Sequence, residues 1–478
     1  MFAYFLRLAG VCTIGCLMSL KGFAQGLNFD ISKFKTPNRR AVIFHISNYE
    51  EEAIYCEYIK VGVIYKDSRG EEIGERIVRI NAYTIGPKAL ELELEVGEEH
   101  IEVLETIYDG PYIYKFVPRS LEFKCQIKRF DTWSRESPEG FGAMVATKDG
   151  GFFASTYPND DPGNSRENTN IFKFDADGGL ISKSTITKLN RVDRLLALPG
   201  DTLIYGGTRG TYASDQFIVV GKLLPNGGKA WEWVYDGSKD EEFRDAVLTN
   251  DGGVLILGHS YTGGNKTKVV LVKLSGFGDQ EWVRSFYLGE KGASARNMIA
   301  TKDGAYLLTG LIRKDEFSFA TVLKKIDSSG NTIWNVQIDE VSQTIELAED
   351  SQGNFVMLGH NWGGVGSRYQ DLLKVDKNGK KVWLIDLGVN AEGLIVTKED
   401  EIILSSNNPY NEPNQRAELM KYSSAGKKIW HRFWSKDLQY NYINKIIQLT
   451  DLSLVAYLWS SESYIIKFDP LGRNQDFR

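Results

Sequence analysis

Short apolar runs alternate with glycine-containing turns over most of the chain after about residue 126. Examples are "ATKDGGFF" (Ala146 to Phe153), "LTNDGGVL" (Leu248 to Leu255) and "ATKDGAYL" (Ala300 to Leu307). In each, one apolar run enters an Asp-Gly pair and another leaves it, and Asp-Gly favours the positive φ of a two-residue hairpin turn. The segments between these turns lack the 3.6-residue periodicity of an amphipathic helix. The pattern predicts an all-β protein.

A second phrase, "KIDSSGNTIW" (Lys325 to Trp334), returns about every fifty residues. Each copy begins with a lysine, and the lysines are Lys173, Lys222, Lys273, Lys325, Lys374, Lys421 and Lys467. Within six residues of each lysine stands a glycine, and the glycines are Gly178, Gly227, Gly278, Gly330, Gly379, Gly426 and Gly472. This register indicates a seven-fold structural repeat.

The two signatures together account for four short strands in each repeat. The Asp-Gly turn joins a first strand to a second, and the lysine phrase supplies a third strand, a turn and a fourth strand. Four strands without a helix are typical of one propeller blade, which buries one face against the next blade. Seven repeats therefore predict a seven-bladed β-propeller with four-stranded blades over residues 124–478.

The seventh repeat stops soon after Gly472, so its fourth strand is missing. Upstream of the first repeat, "KRFDTW" ends in Trp133, which lies sixteen residues before Asp149. Trp334 lies at the same distance before Asp350. A strand near residues 126–134 is therefore predicted to close the last blade from the N-terminal side, which removes an exposed sheet edge.

Six tryptophans occupy the fourth-strand position of this repeat: Trp133, Trp231, Trp282, Trp334, Trp383 and Trp430. We expect these structural repeat residues to fill the wedge between neighbouring blades with their flat rings. Binding of a cofactor by the rings is the alternative.

The coupling of an Asp-Gly turn to a docking tryptophan resembles bacterial propellers of the quinoprotein-like and WD-repeat-like type. The resemblance covers about residues 126–478 and implies the fold alone, because such propellers include dehydrogenases, assembly factors and binding modules. Quinone-dependent dehydrogenases of this kind have eight blades and commonly a vicinal disulfide. Here seven blades are counted and no cysteine follows Cys125, so we predict no cofactor.

Residues 25–123 do not follow the repeat and are predicted to form a small β-sandwich. "ALELELEV" (Ala89 to Val96) alternates apolar and acidic positions, and "TIYDGPYIYKF" (Thr106 to Phe116) predicts a hairpin through Asp-Gly. Cys56 and Cys125 lie in predicted strands of the N-terminal region. They are candidates for a disulfide in an exported protein, and two buried thiols are the alternative.

Residues 1–24 have the features of a signal peptide. Arg7 precedes an apolar run from Leu8 to Leu20, and Gly22 and Ala24 are small residues at the positions that a signal peptidase reads. The run is too short for a comfortable transmembrane helix, and no later segment is apolar enough to span a bilayer. We predict export to the periplasm, the outer surface or the medium; lipid anchoring through Cys16 is the alternative.

The charge balance narrows the range of partners. Removal of the signal peptide deletes two of the 57 basic residues, and 55 against 63 acidic residues gives a net charge of −8. Nucleic-acid binding requires a concentrated basic face, so this acidic chain is not expected to bind nucleic acid.

Few side chains are arranged for catalysis or metal binding. His259 and His360 are equivalent in two repeats that are not adjacent, so we expect hydrogen-bonded loop histidines and no metal site. Four carboxylates cluster on one blade connection: Asp240, Glu241, Glu242 and Asp245. We interpret this cluster as a solvated acidic loop, with catalytic carboxylates as the alternative.

Aromatic residues are frequent in the loops that open on one face of the predicted propeller. The candidate ligand-binding residues are Tyr212, Tyr261, Trp362, Tyr369, Tyr410 and Tyr440. Flat apolar rings beside amide groups suit a sugar or an extended peptide. The sequence therefore favours an exported, non-catalytic binding or scaffold protein that engages a glycan, a peptide or an envelope protein. A secreted glycosidase, lyase or oxidoreductase with carboxylates at the channel mouth is the alternative.

Overall fold

The computed structural model describes the strands of the chain and most of the turns between them. The described residues are 27–36, 39–48, 54–66, 69, 72–85, 92–95, 115–127, 131–156, 168–210, 215–235, 237, 240–261, 267–289, 293–314, 318–360, 370–407, 417–434, 442–459, 463–470 and 472–474. In these ranges the regular elements are β-strands, and they form nine sheets with antiparallel neighbours. No helix in the described ranges is long and apolar enough to cross a membrane.

The chain divides into two compact units, Met1–Phe130 and Asp131–Arg478. The first unit contains two three-stranded sheets. One sheet comprises β1 (Leu27–Thr36), β2 (Arg39–Asn48) and β5 (Leu92–Glu95), and the other comprises β3 (Ile54–Lys66), β4 (Glu72–Ile85) and β6 (Lys115–Ile127). Most of the hairpin predicted at residues 106–116 lies outside the described residues, and the β-sandwich stays a prediction.

The second unit consists of seven four-stranded sheets, which we number as blades 1 to 7. Blade 1 comprises β8 (Phe141–Ala146), β9 (Phe152–Thr156), β10 (Asn168–Phe174) and β11 (Leu180–Thr187). Blade 2 comprises β12 (Arg191–Ala197), β13 (Leu203–Arg209), β14 (Phe217–Leu223) and β15 (Lys229–Tyr235). Blade 3 comprises β16 (Glu241–Leu248), β17 (Val254–Tyr261), β18 (Thr267–Leu274) and β19 (Gln280–Phe286).

The remaining blades repeat this order. Blade 4 comprises β20 (Ala293–Ala300), β21 (Tyr306–Arg313), β22 (Phe319–Ile326) and β23 (Thr332–Ile338). Blade 5 comprises β24 (Gln343–Glu349), β25 (Phe355–His360), β26 (Gln370–Val375) and β27 (Lys381–Asp386). Blade 6 comprises β28 (Asn390–Val396), β29 (Ile402–Asn407), β30 (Ala417–Tyr422) and β31 (Lys428–Trp434). Blade 7 comprises β32 (Tyr442–Gln448), β33 (Leu454–Trp459), β34 (Tyr464–Phe468) and β7 (Trp133–Glu136).

The blades form a closed ring. The first strand of each blade contacts the first strands of both neighbours, and β32 of blade 7 contacts β8 of blade 1. The strand β7 pairs with β34, with Trp133 opposite Lys467. The seven-bladed propeller closed by an N-terminal strand is thereby confirmed. The closing strand begins at the end of the stretch predicted for it, because residues 115–127 pair with β3 instead.

The core of the propeller lies between the blades. Seven clusters of buried apolar side chains occupy the seven blade interfaces, and each cluster draws residues from two neighbouring sheets. Between blades 7 and 1, for example, Phe141 packs against Tyr457 with 5.3 Å between ring centroids. Second and third strands such as β17 and β18 are almost wholly buried, which explains their continuous apolar runs.

Each fourth-strand tryptophan lies against the turn glycine of the next blade. At Gly278, where φ is +89°, an added Cβ would lie 2.7 Å from Trp231, and the Trp231 Nε1 donates to the Gly276 carbonyl at 3.4 Å. The pairs are Trp133–Gly178, Trp231–Gly278, Trp282–Gly330, Trp334–Gly379, Trp383–Gly426 and Trp430–Gly472. In blade 1, Ser184 takes the tryptophan's place against Gly227. The tryptophan and the glycine of the lysine phrase thus meet across six of the seven blade interfaces.

In six of the seven blades, the lysine of the phrase forms an ion pair with an acidic residue in the turn between the first and second strands of the same blade. Lys273, for example, is nearly buried and its Nζ lies 2.9 Å from Asp251 Oδ2. The ion pairs are Lys173–Asp149, Lys273–Asp251, Lys325–Asp303, Lys374–Asp350, Lys421–Glu401 and Lys467–Asp451. Because a buried ammonium requires a partner, the pair explains why the repeat keeps both lysine and acid.

The turns that carry Asp-Gly are one residue longer than the predicted two-residue hairpins. The Gly252 amide donates to the Thr249 carbonyl at 2.9 Å, and the Thr249 amide donates to the Gly253 carbonyl at 3.0 Å. Three residues therefore form the loop, and only the glycine has positive φ, at +81°. This is the turn with a left-handed third residue that three-residue hairpins use.

Candidate functional site

A β-bulge interrupts each first strand near the end at which the strand begins. In blade 3 the pairing shifts between Phe243 and Asp245, and in blade 4 it shifts between Ala295 and Met298. A bulge interrupts the regular alternation of side chains between the two faces of a sheet, so the side chain at the bulge points in a different direction. The equivalent bulge positions in blades 1 to 7 are Gly142, Asp193, Arg244, Arg296, Ile345, Glu392 and Asn444.

The charged bulge residues of blades 2, 3 and 4 lie beside polar side chains from neighbouring positions. We call this group the channel mouth, because first strands line the central channel of a propeller. The channel mouth consists of Arg191, Asp193, Glu242, Arg244, His259, Tyr261 and Arg296.

Glu242 is the centre of an ion-pair network that joins blades 2 and 3. Its Oε2 accepts hydrogen bonds from Arg244 Nη2 at 2.6 Å and from the Tyr261 hydroxyl at 3.1 Å. Its Oε1 lies 3.5 Å from Arg191 Nη2, and Arg191 Nε lies 2.6 Å from Asp193 Oδ1. Burial raises the pKa of Asp193 above its usual range, although Arg191 opposes the shift. The network holds both carboxylates in place.

Asp245, which lies three residues after Glu242 on β16, is the centre of a second buried network. Its Oδ1 accepts from the Ala246 amide at 2.8 Å and lies 3.1 Å from Arg194 Nε. Its Oδ2 accepts from the Met298 amide in blade 4 at 2.8 Å. Burial raises the pKa of Asp245, against the effect of Arg194 and of the two amides. This carboxylate therefore links three consecutive blades.

The prediction of a solvated acidic loop is wrong for three of its four residues. Glu241, Glu242 and Asp245 are 0%, 3% and 5% exposed, because they belong to the innermost strand β16. Asp240 is exposed just before this strand. Charged residues in a first strand face either a blade interface or a narrow channel, and their burial is the consequence.

The two histidines differ from the expectation of loop residues. His259 is fully buried in β17, and its Nδ1 accepts a hydrogen bond from Arg244 Nε at 3.1 Å. Burial, then Arg244 and Arg296, lower the pKa of His259 to about 2, so the ring is neutral with its proton on Nε2. His360, at the end of β25, also has a pKa lowered by burial and by Arg296. Among the described residues no three potential ligands are grouped as a metal site.

A further ion pair spans blade 6. Lys445 Nζ, on β32 in blade 7, lies 3.0 Å from Glu346 Oε1 on β24 in blade 5. The carboxylate of Glu346 raises the pKa of Lys445, and burial raises the pKa of Glu392 on the intervening blade. The pair fixes the spacing of three blades from the channel side.

Tyr261 is the predicted ligand residue that the structure describes. It ends β17, is 38% exposed, and stands edge-on to His259 with ring centroids 6.3 Å apart. The other candidates, Tyr212, Trp362, Tyr369, Tyr410 and Tyr440, lie outside the described residues. Cys56 and Cys125 are opposite each other in the register of β3 and β6, and the disulfide stays a prediction.

Sequence reasoning missed the arginines of the channel mouth. Arg244 stands seven residues before Asp251, and Arg296 stands seven residues before Asp303. Counting back seven positions from each equivalent turn residue retrieves the bulge positions of all seven blades. The spacing within the repeat could therefore have identified the bulge position. The position was missed because its residue type varies from blade to blade.

Solved structures resemble this chain only weakly, both in sequence identity and in TM-score. No family model matches the chain, and no curated protein matches it. The propeller domain of the Trilobed protease from Pyrococcus furiosus has 10% identity and a TM-score of 0.42 over 72% of this chain and 97% of that chain. Sqt1 from Chaetomium thermophilum has 11% identity and a TM-score of 0.43 over 70% and 82%. A protein of unknown function from Bacteroides caccae has 12% identity and a TM-score of 0.35 over 58% and 93%.

Such low similarity indicates nothing about activity. The solved structures also include a puromycin hydrolase mutant, with 14% identity over 72% of this chain and 54% of that chain. The seven four-stranded sheets of the structure itself confirm the propeller architecture that the repeat predicts.

Proposed function

We propose that the chain is an exported, non-catalytic binding protein that holds a glycan at the channel mouth of its propeller. The exposed ring of Tyr261 beside a group of charged, half-buried side chains carries this proposal. A sugar presents an apolar face and a set of hydroxyl groups, so a flat ring next to fixed hydrogen-bonding groups is the complementary surface. The apolar N-terminal stretch of residues 1–24 supports export.

The hydrogen bonds and ion pairs that the buried carboxylates already form favour binding over catalysis. Glu242 is held by Arg244, Arg191 and Tyr261, and Asp245 is held by two amides and Arg194. A general acid or nucleophile needs a carboxyl oxygen that is free to meet the substrate. The pairs described here consume those oxygens and hold the neighbouring side chains rigid, as a preformed binding surface requires.

A secreted glycosidase or lyase is the second candidate, and Asp193 is the observation in its favour. Burial raises the pKa of this carboxyl, and Glu242 is a second carboxylate bound to the same Arg191. Two carboxyl groups with different environments are the pattern of acid–base catalysis. Release of reducing ends from a bound polysaccharide would identify the enzyme.

The proposal is tested by screening the chain from residue 25 against an array of glycans and polysaccharides. Wild type is expected to bind one class of glycan, and Tyr261→Ala is expected to weaken that binding at least tenfold while the propeller stays folded. The double variant Trp362→Ala, Tyr410→Ala tests the contribution of the predicted loop aromatics on the same array.

Tyr287→Ala is the matched control, because Tyr287 is also an exposed tyrosine and follows the outermost strand β19. Its affinity is expected to equal that of wild type. Equal losses in Tyr261→Ala and Tyr287→Ala, or a screen without any glycan bound, would contradict the proposal.

A further inference from the structure

Arg296 is a cation of the channel mouth without a partner among the described residues. It forms no ion pair and no hydrogen bond with them, and its Nε is shielded from solvent. Arg244, at the same bulge position of the neighbouring blade, is in contrast bound to both Glu242 and His259. A buried guanidinium N–H without an acceptor costs free energy, so the position favours the binding of an acceptor group.

The nearby Glu242 carboxylate, which already pairs with Arg244 and Arg191, offsets only part of the unfavourable surroundings of Arg296. Arg244 repels it, and burial and this repulsion lower the pKa of Arg296. His259 is neutral and therefore supplies no charge of either sign. Three arginines face two carboxylates in the channel mouth, an excess of one positive charge in a chain of net charge −6. A local cation on an acidic protein attracts an anionic group and orients it.

We infer that the channel mouth binds the carboxylate of an acidic polysaccharide, with Arg296 as the residue that pairs with it. The planar guanidinium matches a carboxylate with two parallel hydrogen bonds. This inference rests on the proposed function and adds the substrate class, a glycan of uronic acid residues.

Tyr261 is what favours a uronic acid over an isolated carboxylate. Tyr261 donates a hydrogen bond to Glu242, and both Glu242 and Tyr261 interact electrostatically with Arg296. A uronic acid combines a carboxylate with the apolar face of a sugar ring, so one residue can meet both side chains. A small inorganic anion or a peptide carboxyl terminus would engage the guanidinium without needing the ring.

The test compares oligogalacturonate with its methyl ester, in which the sugar is unchanged and the charge is removed. Titration calorimetry on the full chain is expected to show binding of the acid and at least a tenfold weaker binding of the ester. Arg296→Gln is expected to lose at least tenfold in affinity for the acid and to bind acid and ester alike. Arg296→Lys, which keeps the charge but not the planar fork, is expected to recover part of the loss.

Arg284→Gln is the matched control, because it removes the same charge from an exposed position on the fourth strand of blade 3. It is expected to bind as wild type does, and an equal loss in this variant would overturn the inference.

Binding of a neutral glycan that Arg296→Gln leaves intact would also overturn it, while the proposed function would stand. Failure of every glycan, acidic or neutral, would overturn both proposals. Arg296-dependent binding of peptides that end in a free carboxyl group, without glycan binding, would assign the site to a peptide instead.

Discussion

At the residue scale, the turn between the first and second strands of each blade contains one residue with positive φ, and the type of that residue differs between blades. The left-handed residue after the first strand is glycine in four blades, including Gly252, whereas Asp201, Asp400 and Leu452 hold the position in the others. Leu452 has φ of +76°, a conformation that costs a side chain with a Cβ about 1–2 kcal/mol.

Gly252→Ala is expected to lower the free energy of unfolding by about 1 kcal/mol. Nothing lies within 4 Å of a Cβ added there, so the left-handed φ is the sole cause. Leu452→Gly is expected to change the free energy of unfolding in the opposite direction, by less than about 1 kcal/mol, because glycine also gains freedom when unfolded. Denaturant titration of both variants measures the pair, and the same sign for both would contradict this explanation.

Asp251 makes stability depend on pH in the acid range. Hydrogen bonds from the Thr249 hydroxyl and from Lys273 lower its pKa to about 2. A carboxyl whose folded pKa is depressed stabilises the fold above its ordinary pKa of about 3.8 and loses that effect as the pH falls to about 2.

Wild type is therefore expected to be more stable than Asp251→Asn at about pH 6 and nearly equal to it at about pH 2. Unfolding of both proteins by denaturant across this range measures the difference. A difference that stays constant down to about pH 2 would show that the hydrogen bonds act independently of the charge.

At the scale of the blade, the lysine phrase encodes a contact between neighbours. The tryptophan and the glycine of the phrase belong to different copies when they meet, since Trp231 of blade 2 rests on Gly278 of blade 3. The spacing of the two residues predicted a blade, and the expected wedge position followed from the shape of the ring. The identity of the partner glycine could not be read from one copy, because it depends on how two sheets face each other.

Gly278→Ala is expected to cost about 1–3 kcal/mol more than Gly252→Ala. Both glycines have similar positive φ, +89° and +81°, but only at Gly278 would the Cβ lie 2.7 Å from a tryptophan ring. The difference between the two variants therefore isolates the contact between blades. Equal losses in the two denaturant titrations would mean that Trp231 moves aside without cost.

At the scale of the whole molecule, the fold was more predictable than the site. Periodicity yields seven blades and a closing strand near Trp133, because every blade must solve the same packing problem. The channel mouth has no such constraint: its bulge positions carry residues as different as Gly142, Arg244, Ile345 and Glu392. Their equivalence emerges only from the pairing register, and the burial of Glu242 emerges only once β16 is placed innermost.

Closure of the ring should make the propeller unfold as one unit. Trp133→Ala removes the contact with Gly178 that joins blades 7 and 1, and it is expected to cost about 2–3 kcal/mol. Trp282→Ala removes the equivalent contact between blades 3 and 4, which does not involve the closing strand, and it is expected to cost a similar amount. Calorimetry should show a single propeller transition in each variant, and an additional early transition for Trp133→Ala alone would indicate that closure is not coupled to the rest of the ring.

A crystal structure of the chain with bound oligogalacturonate tests the central claim most directly. The prediction is a sugar at the channel mouth, with its carboxylate about 3 Å from the guanidinium of Arg296 and its ring against Tyr261. A ligand seated at the opposite end of the channel or on the outer strands would contradict the assignment of the binding surface.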